Sequence, residues 1–492
     1  MASEEEIKQE RLKKLAILKK AGLNPYPADT DRNFEIGEVI KDFADLETKT
    51  EPVILAGRVL AIRGQGAIVF INIFDGTGKI QGLLKEDEMD KSVFKLFGET
   101  VDLGDFIEVT GSLFTTKRGE KTLKIAQWKM LTKSLLPLPE KWHGLTDDEL
   151  RFRKRYLDIL MNEEVREMLK LKARFWQVAR QFLIDRNFIE VDTPTLELTT
   201  GGAEATPFAT HHNDFDLDVY LRISVGELWQ KRLMAGGLSR TFEIGRVYRN
   251  EGSSPEHLQE FTNLEFYASF LNFEDGKELV KEFYRTLARE VFGRSKFEFK
   301  GHTFDLEDEW VELDYVDTVL EMTGVNVLEA GIKDLEDKLK SLGVVYEGKN
   351  RERLMDSLWK YCRKDISGPA FLVNHPKEVA PLSKENPDNP KLTKTFQVIL
   401  AGSEIGRAHA ELNDPEAQAL SFKEQKKLIE EGDTEAMMPD YEFIEMLEHG
   451  MPPVFGFGFG ERFFSYLYGK NIRETQTFPL MKPKDLDVKK DN

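Results

Sequence analysis

The first apolar pattern in the chain is helical. Ile7, Leu12, Leu15, Ile17 and Leu18 interleave with Lys8, Arg11, Lys13, Lys14, Lys19 and Lys20 against Glu10. This spacing predicts an amphipathic helix with a basic face, stopped by Gly22 and the turn Asn24-Pro25-Tyr26-Pro27. Between residues 53 and 133 the period drops to two. β-rich runs at 53–59, 68–74, 79–84, 105–114 and 123–126 are separated by Gly and Asp turns, with a helical insert at 87–97. About five short strands with such an insert predict a small OB-type barrel. Pro137, Pro139 and a charged run to Arg155 mark a boundary.

From about residue 163 the pattern changes again. Leu169, Leu171, Phe175, Val178 and Phe182 lie on the apolar positions of a long helix over 165–186. Strands are predicted at 188–191, 217–223, 241–248, 261–270, 396–401 and 454–459, and helices at 274–292 and 415–431. The second helix has Asp414 and Pro415 at its start and Gly432 at its stop. Strands with long, uneven insertions predict an α+β domain on an antiparallel sheet flanked by helices. The expected layout is a basic helix and lead-in over 1–50, a barrel over 51–135, a linker over 136–162, a large domain over 163–483 and a mobile tail over 484–492. Residues 271–395 read as helices, with an insertion within about 310–390.

Composition narrows the function classes. Of 492 residues, 40% are hydrophobic and 32% charged, an ordinary globular balance. No apolar run approaches the roughly 18 residues of a membrane span, and Met1-Ala2-Ser3 followed by glutamates does not read as a signal peptide. Cys362 is the one cysteine, which excludes an internal disulfide framework and a Cys-based zinc site and suits a cytoplasmic protein. The net charge of −18 argues at first against a nucleic-acid partner. Its distribution weakens that argument. Residues 1–50 carry −2 and residues 51–135 carry +1, so −17 belongs to residues 136–492. The N-terminal part is near neutral with local basic patches.

Neither usual nucleotide-binding glycine loop is present. Gly456-Phe457-Gly458-Phe459-Gly460-Glu461-Arg462 instead alternates glycine with phenylalanine. One face of such a strand is all glycine, so a flat ligand can lie on it, and Arg462 at the strand's end can meet an anion. A Gly-rich strand packed against another backbone fits the pattern equally well. A second element is Arg249-Asn250-Glu251-Gly252-Ser253-Ser254, with His257 and Phe261 following. In a hairpin Arg249 can grip a phosphate bidentately and Phe261 can stack on a purine, although an exposed Arg-x-Glu is more often a plain ion pair.

Together these elements resemble the class II aminoacyl-tRNA synthetases, and within them the lysyl-tRNA synthetases of bacterial type. Residues 188–194 are similar to motif 1, residues 242–261 to motif 2 and residues 456–462 to motif 3. The lysyl-specific likeness rests on Gly201-Gly202-Ala203, Thr210-His211-His212-Asn213, Glu404-Ile405-Gly406 with Glu411-Leu412-Asn413-Asp414, and the run from Leu138 to Leu145. The match runs from about residue 10 to residue 483 in family order. The resemblance implies ATP-dependent ligation of L-lysine to tRNA(Lys) through a lysyl-adenylate, in a homodimer. Arg249 and Arg462 would be catalytic. ATP would be held by Arg249, Glu251, His257, Phe261, Glu404, Gly458, Gly460 and Arg462. Lysine would be held by Gly202, Glu227, Glu265, Tyr267 and Glu411. In the barrel, Phe70 would stack on an anticodon base, with Arg63, Gln81 and Glu120 on base edges, the way OB-folds read RNA. Without the resemblance, Phe70 reads as a core residue. Magnesium would sit at Glu404 and Gln397.

Several positions depart from the family pattern. Gln397 stands where a second metal carboxylate is expected, and an amide is a poorer ligand for a hard cation. Arg407 and His409 replace an asparagine and an aromatic residue, and Thr206 and Glu461 replace an arginine and an aspartate. The loop 224–226 is one residue longer, which loosens the assignment of Glu227. An aspartyl or asparaginyl-type synthetase, a non-catalytic synthetase-like RNA-binding protein and a paralogue that lysylates proteins are the alternatives. His211-His212 reads as structural, since no other ligand lies at metal spacing.

Overall fold

The computed structural model describes residues 3–64, 66–139, 147–203, 205–252, 254–346 and 350–483. The tail 484–492, Ser253 and most of the run from Leu138 to Leu145 lie outside the described residues. The chain divides into two compact units, at Arg151/Phe152.

In the first unit, five strands close into a barrel: Val53–Arg63, Ile68–Phe74, Lys79–Lys85, Lys121–Thr132 and Phe106–Thr115, in that spatial order. The two-residue period turns Leu55, Val59, Ile71, Ile73, Ile107, Val109, Leu123 and Ile125 into a dry interior. The insert forms the helix Lys91–Thr100, capped by Asp90, whose carboxylate accepts from the Ser92 and Val93 N–H groups. The N-terminal helix runs Glu4–Lys20, with a capping box between Ser3 and Glu6.

Its basic face is only partly free. Arg11 is 7% exposed and donates to the carbonyls of Leu103, Ser134 and Leu136. Lys14 pairs with Asp102 at 2.5 Å. Lys133, fully buried, pairs with Asp102 and Asp105. These cations staple the helix to the barrel; Lys13, Lys19 and Lys20 remain outward, and Lys8 is half-buried.

The second unit is built on a nine-stranded sheet among the described residues. Its central strands are Asn389–Leu400, Ser403–Ala410, Val454–Gly460, Glu260–Ser269 and Arg240–Tyr248, antiparallel in that order. Ile189–Glu190 adds to one edge in parallel, and Val311–Asp314 pairs in parallel with Ala370–Pro376 at the other. The sheet is therefore mixed at its edges. One face packs on the helices Glu163–Ile184 and Phe273–Leu287 through a dense aromatic core, with Phe182 stacked on Phe283 at 4.6 Å and Phe175 edge-on to Phe459 at 6.2 Å. The other face carries the cleft.

Two expectations need correction. Residues 271–395 are not all helical: they hold strands His302–Asp305, Val311–Asp314 and Ala370–Pro376. The expected linker 136–162 contains the helices Asp148–Arg153 and Arg155–Met161. Buried Arg155 pairs with Asp158 and donates to the Glu474 and Gln476 carbonyls, so the second helix is tied into its unit.

Arg11→Ala removes three charge-assisted, partly buried bonds to backbone carbonyls. Denaturant unfolding is expected to show a loss of about 1–3 kcal/mol, against less than about 0.5 kcal/mol for exposed Lys13→Ala.

Candidate active site

The cleft lies over the glycine face of Val454–Gly460. Phe455, Phe457 and Phe459 point into the core, each at most 2% exposed, and Gly456, Gly458 and Gly460 face the cleft. What leans over each glycine defines the site. A Cβ on Gly456 would lie 2.1 Å from Glu411 Oε1, one on Gly458 2.8 Å from Glu265 Cγ, and one on Gly460 3.3 Å from the Phe261 ring. The floor is bare backbone, and the walls are the side chains of the strands on either side. The cleft holds about 460 Å³.

One end is cationic. Arg249 follows Arg240–Tyr248, reaches the Ile223 carbonyl at 3.3 Å and lies 5.3 Å from the Phe261 ring centroid. Arg462 begins the last helix and donates to the backbone carbonyls of Glu256 at 3.2 Å and Glu404 at 3.3 Å. Burial opposes the charge on Glu256, but Lys300 and Arg462 hold its carboxyl down to about 2. Burial and Arg462 pull His257 down to about 4, so it is neutral at pH 7, with Nδ1 2.8 Å from Ser254 Oγ.

The other end is acidic. Glu227 starts the helix Glu227–Ala235 after Gly226, whose backbone is left-handed at φ 66°. The longer loop is tied down by the Val225 N–H, which donates to Glu265 Oε1 at 2.9 Å. Glu265 also accepts from Asn263 Nδ2 and the Tyr267 hydroxyl, each at 2.9 Å. Burial, with Glu227 close by, still pushes Glu265 up to about 7. Burial likewise pushes Glu411 up to about 8.

The remaining expected residues fall as follows. Gly202, Glu251 and Glu404 line the same cleft. Gln397 also lines it, but its Oε1 bonds to His375 Nε2 at 3.0 Å, and Trp359 Nε1 donates to Glu404 Oε1 at 2.7 Å. Among the described residues no cluster of three or more His, Cys, Asp or Glu is arranged for a metal. Glu404 and Gln397 together are too few ligands to enclose a cation by themselves; a carboxylate on the cleft wall fits a cation that a bound polyanion also ligates. Glu461 is fully buried, accepts from the Thr262 N–H and pairs with Lys172, so it faces the core side and not the cleft. Arg407 sits across the sheet from Gly458 and Gln397 and donates to the Val379 carbonyl. His409 Nδ1 bonds to Thr395 Oγ1 at 3.0 Å, and burial keeps the ring neutral. His211 pairs with Asp218 on an exposed hairpin.

In the barrel, Phe70 alternates with buried Ile71 and Ile73 and so lies on the outer face, not in the core. It pairs in register with Arg63, and Gln81 pairs with Asn72 on the next strand. Glu120 precedes the strand Lys121–Thr132, where Thr122 Oγ1 accepts from Gln81 Nε2. Arg63 and Phe70 are thus adjacent, and Gln81 lies beside the start of the strand that Glu120 leads into.

The model of the tRNA synthetases class II (D, K and N) matches residues 147–482, and that of an OB-fold nucleic acid binding domain matches residues 53–131. The chain belongs to the class II tRNA synthetases. Among curated relatives of this synthetase, a lysine–tRNA ligase of Thermotoga maritima is 40% identical over 488 residues, covering 98% of this chain and 97% of the relative. Lysine–tRNA ligases of Roseiflexus sp. and Carboxydothermus hydrogenoformans are each 40% identical, covering 98% of this chain and 99% of theirs.

Among the residues of this synthetase that escaped the sequence reading are Asn263 and Glu256 on the cleft wall and Lys231, which pairs with Glu227 and Glu411 behind it. The spacing of Glu227 and Lys231, four apart on a helix, was a usable signal. Asn263 and Glu256 carried none until the hairpin was folded.

A carboxyl raised by burial stabilises the fold fully below its unfolded value near 4.5, and that stability is lost as pH rises through its folded value. The ligand-free synthetase is expected to lose Tm between about pH 5 and 8, and Glu411→Gln to flatten that fall. Parallel melting curves for the two proteins across this range would contradict it.

Proposed function

We propose that this synthetase activates L-lysine with ATP and transfers it to tRNA(Lys), releasing diphosphate and AMP. The observation that carries this reading is the acidic end of the cleft: Glu227, Glu265 and Glu411 stand, nearly fully buried, around Tyr267 at one end of a bare glycine floor. Lysine's ammonium groups satisfy these carboxylates, and the unpaired burial of the carboxylates disfavours a neutral analogue strongly, on the order of 10⁴-fold. An aspartate or asparagine pocket needs donors there instead. The full-length likeness to lysine–tRNA ligases supports the same choice.

The chemistry needs no general base, because the lysine carboxylate is already ionised. It attacks the α-phosphorus of ATP, the bond to diphosphate breaks, and lysyl-adenylate forms. Arg249 stabilises charge on the α-phosphate, and Arg462 holds the far end of a bent triphosphate. Phe261 supplies a stacking face for adenine, with Gly458 and Gly460 beneath. Glu251 and neutral His257 fix the base and phosphates without adding net cation. Glu404 would hold magnesium together with the ATP phosphates, where the ion would supply neutralisation of phosphate charge. The 3′-end hydroxyl of the tRNA's terminal adenosine then attacks the lysyl carbonyl and releases AMP. Catalysis is positioning and electrostatics.

The barrel reads the anticodon, with Phe70 stacked on a base and Arg63, Gln81 and Glu120 at base edges. No described helix is long and apolar enough to cross a membrane. The protein works in the cytoplasm as a homodimer, joined through the motif 1 helix and strand; Ile184, Ile189, Leu196 and Leu198 are exposed there.

ATP–pyrophosphate exchange with all twenty amino acids tests the specificity: lysine alone is expected to support it, and dependence on any other sinks the reading. Glu265→Gln is expected to lower kcat/KM for lysine by several orders of magnitude, and near-unchanged exchange would contradict its role. Light scattering at micromolar concentration is expected to return a dimer.

A further inference from the structure

The acidic end of the cleft holds one cation of its own. Lys231 lies one turn after Glu227 on the helix Glu227–Ala235, with its side chain 1% exposed. Its ammonium pairs with Glu227 Oε1 at 2.7 Å and with Glu411 Oε2 at 2.6 Å. Burial opposes the charge on Lys231, but the two carboxylates hold its pKa above the ordinary value. The second oxygen of each carboxylate turns elsewhere. Glu227 Oε2 lies 2.8 Å from where a Cβ of Gly202 would be, and Glu411 Oε1 lies over Gly456; both glycines line the cleft. Glu265 is already committed to the Val225 N–H, Asn263 and Tyr267.

We propose that Lys231 is a resident counter-ion and a positioning residue for amino-acid selection: it neutralises one of the three buried carboxylates and turns one oxygen of Glu227 and one of Glu411 to the cleft. This rests on the reading of the cleft as a lysine site. Once all three carboxylates are ionised, as a bound cation favours, one resident ammonium leaves two negative charges at the acidic end; without that cation, burial keeps part of this charge protonated at Glu265 and Glu411. Lysine brings two ammonium groups, and its own carboxylate is left to Arg249, which also lines the cleft. An amino acid with a neutral side chain leaves one buried charge uncompensated. Without Lys231, Glu227 and Glu411 face each other with no cation between them, and the proton that burial already favours on this pair is held more tightly. A protonated carboxyl discriminates an ammonium from a methyl group far less well. The ammonium of Lys231 enters from the helix side and uses the oxygens that do not lean over the glycines, so a substrate need not displace it.

The test begins with lysine-dependent pyrophosphate exchange by the unsubstituted protein. Its absence would fail the lysine reading itself, before Lys231 is at issue. In Lys231→Met, the KM for lysine is expected to rise at least about tenfold while the KM for ATP stays within about threefold. The acidic limb of kcat/KM for lysine is expected to move to higher pH, because the carboxylates have lost the cation that favours their ionised form. In Lys231→Ala, added methylammonium is expected to restore part of the lysine KM, whereas methanol does not. An unchanged KM and pH profile, or a KM defect that methanol and methylammonium relieve equally, would overturn the proposal. Should neither variant fold, reductive methylation of the unsubstituted protein decides, read by mass spectrometry at Lys231. Protection with and without saturating lysine supports a resident ammonium. Labelling of Lys231 on addition of lysine means that the substrate displaces it, and overturns the proposal.

Discussion

Everything in the catalytic unit hangs on the two-residue period of one strand. Over Val454–Gly460, successive side chains must point to opposite faces. Phenylalanine on one face anchors the sheet to its two long helices. Glycine on the other leaves the sheet uncovered, so a ligand can rest on backbone. The burial of Phe455, Phe457 and Phe459 is what holds that uncovered face still. The same seven residues thus supply a packed face and a bare one.

The walls of the cleft then separate charge along its length. Arg249 and Arg462 gather at one end, and the buried carboxylates at the other. The histidines between and around them add nothing to that field. His257, His375 and His409 are all pushed toward the neutral ring by burial and by neighbouring arginines. They serve as hydrogen-bonding spacers. A cleft that sorts an anionic nucleotide from a cationic amino acid needs such neutral ground, because one further cation near Arg462 would draw phosphate while one near Glu411 would block an ammonium. The total charge of −18 is silent on all of this; its placement is what acts.

The barrel strands were legible because their interior is dry and their alternation is clean. The glycine strand was legible for the same reason. The strand Ala370–Pro376 was not: Ala370-Phe371-Leu372-Val373 is a short apolar run, and such a run reads equally as part of a helix. Ser403–Ala410 also escaped as a strand: buried Ile405 and Ala408 are three apart, because a register shift opposite Val398 and Ile399 breaks its two-residue alternation. Among the site residues, those matching a family motif came together in the cleft. The misreadings concern side chains whose partners are distant in sequence. Arg11 looked like a free basic residue until Leu103 and Leu136 supplied its acceptors. Gln397, expected beside Glu404 at a metal site, has a partner of its own in His375 that no local pattern shows. Long-range pairing is the information that a local pattern lacks.

The glycine floor also limits how this enzyme can be re-engineered. A floor of glycines offers no atom to remove, and any atom added meets Glu411, Glu265 or Phe261 at once. A mutant library aimed at a new amino acid gains nothing from randomising Gly456, Gly458 or Gly460. The productive diversity lies on the two flanking strands, in Glu265 and Tyr267 on one and Arg407, His409 and Glu411 on its opposite neighbour, where one codon change alters the shape or charge of the cleft without lifting the ligand off the sheet.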